Sequence, residues 1–148
     1  IKNAFLAIRF REMSNLMLSE LEQLLPKEDC YQIFTDKTFF DYISHSDFLI
    51  SYSSTTIEES LINKKPVILY NPKNHYMHIR GTILEEKINK ININTIYNIN
   101  NKKDLAWSLN WLKTHHADRN KRLNWDKYTF NLDRSDSYKK LINKTFNN

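Results

Sequence analysis

The four consecutive hydroxyl residues at positions 53–56 are the part of this sequence best suited to bind an anion. They follow a short apolar run at 48–50 and precede the helical spacing of Ile57 and Leu61, so we expect them where a strand ends and a helix begins. The first N–H groups of a helix lack partners within the helix, and they attract anions. Hydroxyl and N–H groups would converge in this turn, which predicts a phosphate site formed by Ser53, Ser54, Thr55 and Thr56.

Two glutamates follow the hydroxyl turn, and the residues themselves leave two roles open for them. A carboxylate in the first turn of a helix can accept a hydrogen bond from a sugar hydroxyl, or it can reach back and cap the helix. The S/T-x-x-E capping pattern occurs twice, as Thr55 with Glu58 and as Thr56 with Glu59. The local pattern alone favours the capping role, because such boxes are common at helix starts.

A strand, helix and strand surround this turn. The second apolar run, Val67–Tyr70, follows Pro66 directly. Both runs are continuous rather than alternating, which is typical of parallel strands that are buried on both faces. In open sheets of this kind, ligands bind at the carboxyl ends of the strands.

Other polar residues follow strands of the same predicted sheet. Arg9 and Arg11 come after an apolar run at 4–8 and would share one face of a strand, where they could contact phosphate or pair with Glu12 and solvent. Thr35 ends the run Tyr31–Phe34, and His75 and His78 lie in the polar loop after Tyr70. We take Thr35, His75 and His78 as candidate substrate contacts. We expect no metal site, because no cysteine or closely spaced carboxylate accompanies the two histidines.

The remaining periodicity predicts the architecture. Apolar stripes predict helices at 13–25, 38–44 and 82–90, a last strand at 93–99, and helices after residue 101, one ending near His115 and a terminal one at 137–146. We therefore predict a Rossmann-like α/β domain in residues 1–100, with a mainly parallel sheet of about five strands and helices on both faces. A helical segment at 101–148 would pack on it.

Composition excludes several classes of protein. The chain has 148 residues and 41% hydrophobic content, enough for one domain with a core. Gly81 is the only glycine, so neither a G-x-G-x-x-G fingerprint nor a P-loop can exist. Cys30 is the only cysteine, which favours a reducing compartment. No apolar run is long enough to span a bilayer and no leader pattern opens the chain, so we expect a cytoplasmic protein.

The segment at 46–72, SDFLISYSSTTIEESLINKKPVILYNP, resembles the carboxyl-terminal, donor-binding domain of two-domain GT-B glycosyltransferases. The likeness is to bacterial enzymes that build capsular or other surface polysaccharides, and more distantly to the UDP-N-acetylglucosamine 2-epimerases. In those families a turn after a strand meets the nucleotide diphosphate, and a helix glutamate at a fixed distance from a proline-started strand holds the ribose. Here that seven-residue distance falls on Glu59 and Pro66.

The resemblance favours the ligand role for the hydroxyl turn. On a helical wheel Glu58 lies nearer the apolar face of Ile57 and Leu61, whereas Glu59 faces the more open side. We therefore predict that Glu59 binds the ribose and that Glu58 is a cap or a buried ion-pair member. The family's glycines are missing from this turn, so hydroxyls would contact phosphate where the backbone usually approaches it.

The resemblance also implies what the chain would contain. Residues 1–100 would be the nucleotide-sugar-binding core, with a further βα unit upstream of Ile1. The acceptor domain, which usually supplies the base in inverting members, is not present in this chain, so it would be inactive by itself. It would bind a nucleotide sugar without cofactor or metal, in the cytoplasm or at the inner face of the membrane. Arg9 and Arg11 would stabilise the leaving diphosphate.

Two other functions are compatible with these residues. A sugar-nucleotide 2-epimerase or a phosphoglycerol-type transferase would use the same nucleotide site. A basic, non-enzymatic module that binds nucleic acid would fit the formal net charge of +5, and steeply salt-dependent binding to generic DNA or RNA would reveal it. We expect no nucleic-acid partner, because the lysines and arginines are scattered rather than clustered.

Overall fold

The computed structural model describes residues 4–10, 16–35, 38–52, 54–77, 79–87, 92–115 and 123–127. They form an α/β protein with parallel sheets, compatible with the Rossmann-like class. Arg11, Ser53, His78 and the predicted terminal helix at 137–146 lie outside the described residues. Within these ranges no helix combines the length and apolarity needed to cross a bilayer.

The described strands form two parallel sheets. The first pairs β1 (Leu6–Arg9) with β2 (Tyr31–Phe34). The second has the order β3-β4-β6-β5 and consists of β3 (Leu49–Ser51), β4 (Val67–Tyr70), β5 (Thr82–Ile83) and β6 (Ile96–Ile99). Leu49 lies opposite Val67 in the parallel register of β3 and β4. The predicted parallel pairing of the two apolar runs beside the hydroxyl turn is therefore confirmed.

The sheet arrangement corrects the prediction of a single sheet of about five strands. β1 and β2 form a sheet of their own, because the described residues pair β1 only with β2 and β3 only with β4. Among the residues that the structure describes, both β1 and β3 are thus edge strands.

Four helices lie between and after these strands in the described part of the chain. Two of them begin with a capping box, in which the carboxylate of Glu20 or Asp41 accepts the N–H of the residue before the helix. In the described residues the predicted helix at 13–25 begins only at Leu18, because Met17 has extended backbone angles and occupies the N-cap position. The helices are α1 (Leu18–Leu24), α2 (Phe39–Ile43), α3 (Thr56–Ile62) and α4 (Lys102–His115), followed by a 3-10 turn at Trp125–Lys127.

The turn from α3 into β4 is held by the backbone. Lys64 adopts a left-handed φ of 55°, and the next N–H, that of Lys65, donates to the carbonyl of Ser60 at 2.9 Å. The buried hydroxyl of Ser60 donates in return to the carbonyl of Lys65 at 3.2 Å. Pro66 then starts the strand, and its carbonyl accepts the N–H of Leu49.

The second sheet is covered on both faces, as predicted. One face carries the cluster of Ile57, Leu61, Val67, Leu69, Ile96 and Trp125, which packs α3 and the 3-10 turn on the sheet. The other face carries Ile68, Leu84, Tyr97, Ile99 and Leu112, which packs α4. Successive residues of β4 alternate between the two clusters, as the pleat of a strand requires.

Aromatic rings stack along one side of α4. Trp107 and Trp111 are stacked with ring centroids 6.2 Å apart and an interplanar angle of 29°. His115 lies 4.9 Å beyond Trp111, nearly parallel to it, and Tyr97 of β6 meets Trp111 edge-on. Trp107, Trp111 and His115 are four residues apart, which places their rings on successive turns of one face of α4.

The predicted helix at 82–90 is wrong at its start, because Thr82 and Ile83 form β5 and residues 84–87 are not helical. Tertiary contacts fix the strand beside β6. A Cβ on Gly81 would lie 2.4 Å from the carbonyl oxygen of Ile96, so only glycine allows this close approach. The amide of Asn94 also donates to the hydroxyl of Thr82 at 2.8 Å.

Candidate functional site

The turn between β3 and α3 is capped by Ser54. Its half-buried hydroxyl accepts the N–H of Thr56 at 3.2 Å, and its carbonyl accepts the N–H of Ile57 at 3.1 Å. Thr55 is exposed, takes helical backbone angles and makes no side-chain cap hydrogen bond. The Thr55–Glu58 capping box that the sequence pattern offers is therefore not formed, and neither carboxylate is needed to cap α3.

Glu58 and Glu59 differ in exposure as the helical wheel predicted. α3 buries Ile57, Ser60 and Leu61 against the sheet. Glu58 is half-buried beside that face, whereas Glu59 is exposed. Within the described residues no ion pair involves either carboxylate, so Glu59 is available to a ligand in front of the helix.

The loop after β4 is held in place by Asn71, a residue that the sequence-based site did not include. Asn71 is buried, and its backbone N–H donates to the carbonyl of Ile99 at 2.9 Å. Its side-chain amide donates to the carbonyl of His75 at 2.8 Å, and its side-chain oxygen accepts the N–H of His75 at 2.9 Å. Asn74 closes the loop with a left-handed φ of 51°. The Asn-Pro pair at 71–72, a turn signal at a strand end, could have identified it.

Tyr52 joins the two loops at the carboxyl edge of the sheet. Its hydroxyl donates to the carbonyl of Tyr76 at 2.6 Å. Its ring meets the ring of His75 edge-on, with centroids 6.0 Å apart. The structure therefore brings His75 to Tyr52, two residues before Ser54 in the chain. The aromatic residue directly after β3 was the only sequence signal for this contact.

Arg9 and Thr35, two further predicted site residues, belong to the other sheet and the loop that follows it. Arg9 ends β1 and is exposed, with its guanidinium carbon 6.0 Å from the ring centroid of Phe39. Thr35 follows β2 and is exposed. Both lie at carboxyl ends of parallel strands, but on the sheet that does not contain β3.

A second polar region lies at the carboxyl ends of β5 and β6. It is a cavity of about 250 Å³ lined by Glu85, Glu86, Lys87, Asn101, Lys103 and Asp104. Asn101 and Asp104 cap α4, and Asp104 also accepts the N–H of Glu86 at 3.2 Å. Lys103 pairs with Glu86 at 3.3 Å. These groups largely satisfy one another, which is the pattern of a structural cap.

Fold and site together define an α/β protein whose polar loops meet at the carboxyl ends of parallel strands. Comparison with known proteins finds no matching family model, no matching curated protein and no matching solved structure. The function must therefore be argued from the geometry of the site.

Proposed function

We propose that this chain is the donor-binding part of a GT-B glycosyltransferase, which transfers a sugar from a nucleotide to a growing bacterial surface polysaccharide. The observation that supports this proposal is the contact between two loops at one edge of the sheet. The Tyr52 hydroxyl bonds the Tyr76 carbonyl, so the start of α3 and the loop of His75 border the same space. Ligands of open parallel sheets bind at this edge.

The donor would be held by groups of opposite polarity. Ser53, Ser54, Thr55 and Thr56 would offer hydroxyl and N–H donors to the diphosphate. Exposed Glu59 would accept hydrogen bonds from the ribose hydroxyls. His75, held by Asn71, would contact the sugar or its phosphate. Within the described residues the cap hydrogen bond of α3 goes to Ser54 and no ion pair involves Glu59, so the Glu59 carboxylate stays available to a ligand.

This chain would contribute to the chemical step by electrostatic stabilisation of the leaving group. Charge develops on the diphosphate as it leaves, and Arg9 and Arg11 would stabilise it without a metal. The acceptor site and the base would belong to a second domain, so residues 1–148 would bind donor without turnover. Such an enzyme would work in the cytoplasm, at the inner face of the membrane where the polysaccharide grows.

Ligand-dependent unfolding tests this function. The chain is heated with UDP, CDP, GDP and CMP in turn, and the midpoint of unfolding is compared with that of the free chain. A nucleoside diphosphate at about 100 times its Kd should add about 2.7 kcal/mol of stability and raise the midpoint by several degrees. If no nucleotide shifts the midpoint while generic DNA binds with steep salt dependence, the nucleic-acid alternative is correct.

A further inference from the structure

We propose that the loop after β4 carries a subsite for a pyranose ring, in which the side chain of Tyr76 stacks on the apolar C–H face of a saccharide. The residues Tyr52, His75 and Tyr76 are called here the aromatic corner. The sugar of the donor and a sugar of the acceptor polysaccharide share this chemistry, and only the choice between these two sources rests on the proposed function.

Hydrogen bonds hold the backbone of the aromatic corner in place. The N–H of Asn74 donates to the carbonyl of Asn71 at 3.2 Å and closes a turn. The buried side chain of Asn71 bonds both the N–H and the carbonyl of His75. The Tyr52 hydroxyl donates to the carbonyl of Tyr76 at 2.6 Å. The corner is therefore ordered before any ligand arrives.

Tyr76 exposes its side chain although its backbone is held. The residue is 82% exposed, more than Phe5 at 61%, while Met77 directly after it packs against the cluster that covers α3. A tyrosine has only two side-chain torsions, so a ligand that orders its ring loses little conformational entropy. The loop thus presents one flat apolar face on an ordered attachment.

Polar side chains accompany this ring in the same loop. Lys73, Asn74 and His75 are all exposed and lie in or directly after the turn that Asn71 holds. The two hydrogen bonds between Asn71 and His75 use the backbone of His75, so neither occupies an imidazole nitrogen. An ammonium, an amide and an imidazole together can donate to and accept from hydroxyl groups.

A pyranose matches this combination of groups. It has one apolar face of C–H groups and a rim of hydroxyls, which correspond to the tyrosine ring and to the three polar side chains. An open-chain polyol such as ribitol has the hydroxyls but no rigid apolar face. A nucleobase is flat on both faces, and the rings of Tyr52 and His75 are nearly perpendicular, at 80°, so they form no parallel slot for it.

Saturation-transfer NMR tests the subsite without a nucleotide. The chain is mixed in turn with glucose, N-acetylglucosamine, ribitol and uridine at equal millimolar concentrations, and the saturation that each ligand receives is compared. We expect transfer to the C–H protons of one ring face in both sugars, and about fivefold less transfer to ribitol, which cannot stack.

Three variants locate the contact. Tyr76→Ala should lower the transfer to both sugars by about fivefold, and Tyr76→Phe, which keeps the ring, should retain it. Phe40→Ala is the matched control, because it removes a ring that is 59% exposed on α2, and it should leave the transfer unchanged. Far-ultraviolet circular dichroism checks that each variant is folded.

UDP and UDP-glucose separate the two sources of the sugar. If the subsite takes the donor sugar, UDP-glucose displaces free glucose, and Tyr76→Ala weakens the binding of UDP-glucose by about fivefold without changing that of UDP. If the subsite takes an acceptor sugar, free glucose stays bound in the presence of UDP-glucose. Both results support the subsite and assign its occupant.

Three results would overturn the subsite: equal transfer to glucose and ribitol, unchanged transfer in Tyr76→Ala, or a stronger signal from uridine than from glucose that Tyr76→Ala removes. The last result would make Tyr76 a base-stacking residue. Binding of UDP without any transfer to the sugars would reject the subsite and keep the donor-binding function. Transfer to the sugars without binding of any nucleotide would keep the subsite and reject that function.

Discussion

Glu58 and Glu59 are neighbours in α3 with different surroundings, and the proposed function gives them different roles. A charged hydrogen bond to a ribose hydroxyl is worth about 1.5–3 kcal/mol. Glu59→Gln should therefore weaken nucleotide binding by about tenfold or more, because the neutral amide replaces a charged acceptor. Calorimetric titration with the nucleoside diphosphate that best stabilises the chain measures this change.

Glu58→Gln is the matched control for that titration. It removes the same charge one residue earlier, at a half-buried position beside the apolar face of α3. Its effect on nucleotide affinity should be smaller than that of Glu59→Gln. A larger loss at Glu58, or unchanged affinity in Glu59→Gln, would remove Glu59 from the site.

Tyr97 should make the stability of the protein fall at alkaline pH. Burial raises the pKa of the Tyr97 phenol to about 12 from its ordinary value of 10.0, against the lowering effect of the Asn94 backbone N–H that it accepts. The neutral phenol is therefore favoured by folding. This contribution is fully present below pH 10 and is lost as pH rises from 10 through 12, because the unfolded chain ionises first.

The comparison of wild type with Tyr97→Phe isolates this effect. The free energy of unfolding is measured in urea at several pH values for both proteins. The wild type should lose stability relative to Tyr97→Phe between pH 10 and 12, while the difference stays constant between pH 7 and 9. A constant difference in the free energy of unfolding over the whole pH range would contradict this role of Tyr97.

The side-chain amide of the buried residue Asn71 holds the loop between β4 and β5. Asn71→Ala would remove both side-chain hydrogen bonds to His75 and leave the backbone N–H and carbonyl of His75 without those partners. We expect a loss of about 1–3 kcal/mol in the free energy of unfolding. Amide exchange at His75 should accelerate in the same variant. Lys73→Ala, an exposed change in the same loop, is the control and should leave both measurements unaltered.

Short strands were predictable from the sequence where an apolar run had sharp ends. Val67–Tyr70 follows a proline and precedes an Asn-Pro pair, and Tyr31–Phe34 is an equally isolated run, so both strands were placed correctly. The strand at Thr82 and Ile83 was not predicted, because the residues after it have helical spacing. Their conformation is set by Gly81 against Ile96 and by the Asn94 amide, contacts that come from distant parts of the chain.

The same limit applies to the cap of α3. The sequence offers two S/T-x-x-E patterns, yet the hydroxyl that caps the helix belongs to Ser54. Local spacing identified the turn and the exposed glutamate but not which hydroxyl is used. The contact of Tyr52 with the His75 loop could not be predicted from local spacing either, because it joins residues 24 positions apart.

Over the part of the molecule that the structure describes, exposed large apolar side chains are more frequent in the first fifty residues than after them. Phe5 is 61% exposed and Phe40 is 59% exposed, and α1 buries none of its residues. We expect the chain to bind a hydrophobic dye such as ANS in its folded state. Phe5→Ser with Phe40→Ser should lower the dye signal at least twofold without reducing the free energy of unfolding, because neither ring contributes to the buried core.

Ile83→Ser is the control for dye binding. Ile83 is 50% exposed on β5, at the far edge of the second sheet. Its removal should change the dye signal less than the double change near β1. An equal decrease would show that the dye samples the surface generally rather than the exposed apolar side chains of Phe5 and Phe40.

The three tryptophans make the two covered faces of the second sheet optically distinguishable. Trp107 and Trp111 are stacked on α4, close enough for their indole transitions to couple, whereas Trp125 is buried in the α3 cluster on the opposite face. The coupled pair should give a far-ultraviolet circular dichroism couplet that a single indole cannot produce. Loss of the couplet reports separation of α4 from the sheet, and the emission of Trp125 reports the face that carries α3 and the proposed donor site. The order in which the two faces come apart can thus be followed without attaching a label.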